Sequence, residues 1–153
     1  MKGPWPAFKT GGAIDAAADA FLRGLYEDAS DDELGDLSVA DFAAIAHDFW
    51  IWRSERQCDE QCVRIRRAVG ANGVELDRDI LEIAGPDMPF LVDSVMGEIS
   101  DQGITTLAMF HPLAPASNGR DRDSLIQIHL PRLSAQRAKA LHDGVRASLA
   151  DVR

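Results

Sequence analysis

The spacing of apolar residues is helical up to about residue 55. It then reads strand, strand, helix, strand, strand, helix, an order that few folds accommodate. Val63, Ile65, Arg67 and Val69 alternate with small or polar neighbours, which predicts a strand over 62–69. Ala71-Asn72-Gly73 is a turn signal, because Asn-Gly accepts positive φ cheaply. A second strand over 75–84 ends in Ile80-Leu81-Glu82-Ile83-Ala84, and Gly85-Pro86-Asp87 breaks it. Pro89 suits the first turn of a helix, where its missing N–H costs nothing. That helix carries Leu91, Val92, Val95, Met96 and Ile99 on one face, and Gly103 is placed to end it. A third strand is expected over Ile104–His111, then a polar connection, then a fourth over Ser124–Leu130, closed by Pro131. Ser134 caps a last helix with the stripe Ala138, Leu141, Val145, Leu149 and Val152.

A ferredoxin-like sheet is built as β-α-β-β-α-β, with its last strand beside its first. Here the final strand is missing and an extra one precedes the pattern. The strand at 62–69 can fill the vacant edge, giving an α+β fold with a permuted, antiparallel ferredoxin-like sheet. Both later helices then cover one face.

Residues 1–12 hold two prolines and three glycines and read as a loose arm. Residues 13–57 read as a helical subdomain. Its first helix carries Ile14, Ala17, Ala18, Phe21, Leu22, Leu25 and Tyr26 on one face. Ser30-Asp31-Asp32-Glu33 matches a capping box. Ser38 caps a third helix with Phe42, Ile45, Ala46, Phe49 and Trp52 inward. Residues 58–153 form the α+β domain. The stripe of the last helix reaches the end of the chain without a stop signal, so a longer parent polypeptide is expected.

The chain's 25 acids and 16 bases give a formal charge of −9, which repels phosphate backbones and makes nucleic acid a poor partner. Arg64, Arg66 and Arg67 cluster, and such a cluster on a strand is ordinarily a solvated face. No signal peptide or membrane-length apolar run is present, so a cytoplasmic protein without a membrane partner is expected. Cys58 and Cys62 fit that compartment as free thiols, and zinc would need two further ligands.

Catalytic signatures are missing. There is no dinucleotide fingerprint, phosphate loop or nucleophile elbow, and Ser94 lies inside a helix without an obvious base. The lysines are Lys2, Lys9 and Lys139, none placed for activation by burial. Of His47, His111, His129 and His142, none pairs with another at metal-binding spacing. His111 ends a strand before Pro112, where side chains often reach a ligand; the plainer reading is a bond to a nearby carbonyl. Asp87 and Asp93 flank a helix start, and Asp87 is read as its cap. No catalytic, cofactor-binding or metal residue is assigned.

The run Asp87-Met88-Pro89-Phe90-Leu91-Val92-Asp93-Ser94-Val95 resembles the amino-terminal region of the large bacterial NAD-dependent glutamate dehydrogenases. His111-Pro112, Asp123-Ser124-Leu125-Ile126-Gln127-Ile128 and Leu149-Ala150-Asp151-Val152-Arg153 are similar to later segments of that family. Upstream, Phe21-Leu22, Leu25-Tyr26, Ser30 with Asp32-Glu33-Leu34, and Phe49-Trp50 fall in the same order, so the resemblance spans roughly residues 14–153. It implies an ACT-type regulatory domain preceding a catalytic domain that converts L-glutamate and NAD to 2-oxoglutarate, ammonia and NADH. The implied cofactor, NAD, belongs to the parent enzyme and not to this segment. The implied partners are other domains of the same polypeptide, further copies of the chain and an amino-acid effector. ACT domains often bind amino acids near the loop that opens their first helix, here Asp87, Met88, Pro89 and Phe90, with His111 nearby. Phe90 stands where that loop commonly has glycine. It is expected to pack over the strand ends, which favours structure over sensing. Three readings stand: a regulatory or assembly domain of a glutamate dehydrogenase, a free-standing amino-acid sensor, and a purely structural oligomerisation module.

Overall fold

The computed structural model describes residues 9–10, 13–14, 16–55, 61–111, 113–114 and 123–151. Two compact units are distinguished. One comprises Met1–Arg56 with Val69–Leu76, the other Gln57–Ala68 with Asp77–Arg153.

In the first unit, strands β1 (Lys9–Thr10) and β2 (Ala13–Ile14) pair antiparallel, within and just after the segment read as a loose arm. The rest of that arm lies outside the described residues. Helices α1 (Ala16–Asp28), α2 (Asp31–Leu34) and α3 (Val39–Ser54) follow. The capping box is present: Glu33 N–H donates to Ser30 Oγ, and Ser30 N–H donates to Glu33 Oε1, both at 3.1 Å. Ser38 caps α3 by accepting from Asp41 N–H at 3.1 Å. Leu22, Leu25, Tyr26, Phe42, Ile45, Ala46, Phe49 and Trp52 are buried, as the helical spacing predicts. The Tyr26 and Phe42 rings lie 5.6 Å apart, within the range of favourable aromatic pairs.

The second unit is built on strands β3 (Cys62–Val69), β4 (Glu75–Pro86), β5 (Ala108–Phe110), β6 (Leu113–Ala114) and β7 (Asp123–Pro131), except for Val69, Glu75 and Leu76 at the hairpin, which fall in the first. Their order is β3-β4-β7-β5, with β6 also pairing β7. The sheet is antiparallel and β3 occupies the edge left by the missing final strand, which is the permuted ferredoxin-like arrangement.

The hairpin between β3 and β4 differs in detail from the Asn-Gly turn expected. Gly73 N–H donates to Gly70 C=O at 3.0 Å, which makes Ala71 and Asn72 the central residues. Neither has positive φ, and Gly73 follows at φ 78°. This is a type I turn with a glycine bulge, not the primed two-residue turn. Asp41 Oδ1 accepts from Ala71 N–H at 2.9 Å, within the helical unit.

Helices α4 (Leu91–Asp101) and α5 (Ala135–Asp151) pack together on one face of the sheet. Leu81, Ile83, Ile126, Ile128 and Leu130 meet Leu91, Val95, Ile99, Leu141, Val145 and Leu149 there. Each such side chain stabilises by about 1.5–3 kcal/mol when fully buried. α4 ends in a Schellman motif: Ile104 N–H bonds Ile99 C=O at 3.1 Å, Gly103 N–H bonds Ser100 C=O at 2.9 Å, and Gly103 has φ 70°. The strand expected over Ile104–His111 shortens to Ala108–Phe110; the Schellman turn takes up Ile104, and Leu107 N–H still bonds His129 C=O at 2.8 Å just ahead of the strand.

Candidate functional site

Two clusters in the second unit carry chemistry. The first lies on the sheet face opposite the helix-covered core. Register places Glu82 beside Gln127 and Ile80 beside His129, on adjacent strands β4 and β7. Glu82, Gln127 and His129 are buried. From β3, Arg64 Nε donates to Glu82 Oε1 at 2.7 Å and Arg66 Nε at 2.9 Å. Arg66 Nη2 and Gln127 Nε2 donate to Oε2 at 3.1 and 2.7 Å. Four donors fill the four lone-pair positions of the carboxylate.

Beyond Gln127 the donor–acceptor roles follow in sequence. Its Nε2 is spent on Glu82, so Oε1 accepts from His129 Nε2 at 3.2 Å. His129 Nδ1 is then the acceptor for Arg78 Nη1 at 3.0 Å. A neutral imidazole protonated on Nε2 satisfies both bonds. Burial, followed by the charges of Arg78 and Arg66, pushes His129 down to about 3, so it is neutral at physiological pH. The Phe110 ring meets the imidazole edge to face at 5.6 Å.

The arginine cluster is therefore no solvated face. Arg64 and Arg66 converge on one buried carboxylate, and Arg67 Nε donates to Asp79. Asp79 Oδ2 also accepts from Leu133 N–H at 2.9 Å, fixing the connection into α5. A lone acid inside the apolar run Ile80–Ala84, two strands' alternation away from paired arginines, was the available signal. The cluster is structural in character: its polar groups are used on one another.

The second cluster is the loop after β4. Gly85 pairs with Ser124 and Pro86 with Asp123, at the start of β7. Leu113 of β6 pairs with the same Ser124 from the other side, and His111 Nε2 lies 2.5 Å from Ser124 Oγ. The loop and His111 thus share one end of the sheet. The bond of His111 is to a hydroxyl, not to a carbonyl as expected. Asp87, Pro89 and His111 are exposed, whereas Met88 packs partly against the core.

Three expectations at this loop are overturned. α4 begins at Leu91, so Pro89 precedes the helix rather than sitting in its first turn. The N-cap position is Phe90, with no side-chain cap bond, so Asp87 does not cap α4. Phe90 does not pack: it is 73% exposed, with left-handed backbone at φ 64° and ψ 11°. No other non-glycine residue among those described has positive φ.

A family model for the ACT1 domain of glutamate dehydrogenase matches residues 21–145. The chain belongs to the glutamate dehydrogenase ACT1 domain family. No curated protein and no solved structure matches it significantly. In this ACT1 domain the match covers the sheet, α4, most of α5 and the helices from the middle of α1 onward. Among the described residues no group of three or more His, Cys, Asp or Glu is placed to hold a metal ion, and no helix is long and apolar enough to cross a membrane.

The cysteines also depart from expectation. Cys62 is disulfide-bonded rather than a free thiol. The chain's other cysteine, Cys58, lies outside the described residues.

Proposed function

We propose that the chain is a non-catalytic regulatory or assembly domain of a large NAD-dependent glutamate dehydrogenase, and that the Pro86–Phe90 loop is the part that meets a partner. The parent enzyme would convert L-glutamate and NAD to 2-oxoglutarate, ammonia and NADH in the cytoplasm, with NAD held by other domains. The partners are those other domains and further copies of the chain. The observation that carries this reading is Phe90. A large aromatic side chain is held in solvent on a left-handed backbone that costs a non-glycine residue of order 1–3 kcal/mol. At 73% exposure the ring recovers little of that cost by burial among the described residues, whereas an aromatic anchor at a protein interface would recover it. Asp87 and Asp93, both exposed beside it, would give the anchor an acidic rim.

The free-standing sensor is the competing reading. Thermal melts with a panel of amino acids separate the two, because a ligand that binds the folded chain alone raises its melting temperature. The assembly reading expects no shift for glutamate or its relatives. A concentration-dependent rise that disappears in Phe90→Ala would establish the sensor instead.

A further inference from the structure

We infer that the outer surface of α4 and α5 is a two-fold interface between copies of this chain, in which α4 of each copy lies along α5 of the other. The inference rests on the assembly reading and names its partner. The two helices run antiparallel: Gln102 Nε2 donates to Ala140 C=O at 3.1 Å, and Glu98 lies beside Gly144. The start of α4 is therefore level with the end of α5. Leu91, Val95 and Ile99 are buried against the sheet, so the helical period turns Asp93, Gly97 and Asp101 away from it, and all three are exposed. On α5, Leu141, Val145 and Leu149 face the core, and Arg146, Ala147 and Ala150 are exposed.

Two residues on the outer side of α4 are unfavourable in a lone chain. Glycine is a poorer helix former than alanine, yet Gly97 stands in the middle of the helix, where a Cβ would meet nothing within 4 Å. The fold leaves room for a side chain there; a close-packed second helix does not. Asp101 lies in the last turn, where the helix dipole disfavours an acid, and that turn holds no base. Charge then selects the geometry. Residues 87–101 hold Asp87, Asp93, Glu98 and Asp101 and no base, whereas residues 132–146 hold Arg132, Arg137, Lys139 and Arg146 against Asp143 alone. A two-fold axis across the helices stacks α4 on α4 and opposes acid to acid. An axis along them lays α4 on the partner's α5 and opposes acid to base, twice over by symmetry. Matching levels then set Asp93 against the partner's Arg146, Gly97 against the partner's Ala147 and Phe90 against the partner's Ala150. Lys139 is engaged with Asp143 at 2.7 Å, so the decisive pair is Asp93 with Arg146. Neither side chain has a hydrogen-bond or ion-pair partner among the described residues.

The test is sedimentation velocity on the 153-residue chain and its variants, with thermal melts as the control for folding. Gly97→Leu places a good helix former in open space, so it should melt no lower than the parent and yet associate on the order of tenfold more weakly. Asp93→Arg and Arg146→Asp should each weaken association to a similar extent. The two together should restore it, because the pair is re-formed with its charges exchanged. Losses that add in the double variant overturn the pairing of Asp93 with Arg146. Association that Phe90→Gly weakens but these variants leave unchanged overturns the helix interface and keeps the assembly reading. A chain that stays monomeric throughout overturns both.

Discussion

Glu82 and Gln127 face each other across β4 and β7, and the Gln127 amide donates to Glu82 Oε2 at 2.7 Å. The same carboxylate takes three bonds from Arg64 and Arg66, so its removal takes bonds from two guanidinium groups at once. Truncating one partner of a buried ion cluster costs about 3–5 kcal/mol. Glu82→Ala is expected to lose that much in urea unfolding, and Glu82→Gln, which keeps the shape and part of the bonding, less. A Glu82→Ala chain as stable as the parent would show that the cluster is not buried as described.

His129 predicts a definite pH dependence. Its folded value is depressed to about 3 from an ordinary 6.5. Between those limits the unfolded chain takes up a proton that the folded chain refuses, so stability falls as pH falls. The contribution is fully present above 6.5 and is lost by roughly 1 kcal/mol per pH unit on the way down. Chemical unfolding from pH 7 to pH 4 should show this slope, and His129→Gln should flatten part of it. An unchanged slope in His129→Gln would assign the acid sensitivity to carboxylates instead.

Two glycines should respond oppositely to alanine. At Gly85 a Cβ would meet Gln61 backbone, which cannot give way cheaply. Gly85→Ala should therefore destabilise by about 1–3 kcal/mol. At Gly144, inside α5, the atoms in the way are the ends of the Glu98 and Gln102 side chains, which can swing aside. Alanine gains about 1 kcal/mol of helix propensity over glycine. Gly144→Ala should be neutral or stabilising, at the expense of the Gln102 bond to Ala140 C=O. Matched losses at both sites in thermal melts would contradict this distinction.

The fold was legible where local signals were redundant. Ser38 caps a helix that its apolar spacing already marked, Ser30 opens a short helix that its capping box alone marked, and Gly103 terminates α4 through a motif that needs its positive φ. The order of elements implied the position of β3, because one vacant edge remained. The side-chain network was not legible in the same way. Glu82 and Arg66 are sixteen residues apart and meet through strand register, which a hairpin bulge sets and periodicity alone does not. Phe90 was misread because proline-then-aromatic before a helical stripe looks like a first turn. The backbone instead reverses at Phe90 itself, and no residue type in that run announces a left-handed conformation.

The proposed role of the loop is tested most directly by Phe90→Gly, since glycine accepts φ 64° without strain and removes the ring. Sedimentation velocity over a wide concentration range, with thermal melts of both proteins, is the measurement. The account predicts that the parent chain self-associates reversibly. The variant should melt at the same temperature or higher and associate at least about thirtyfold more weakly, the effect of losing an aromatic anchor worth about 2 kcal/mol. A parent chain that sediments as a monomer throughout, or a variant that associates as tightly as the parent, would contradict it.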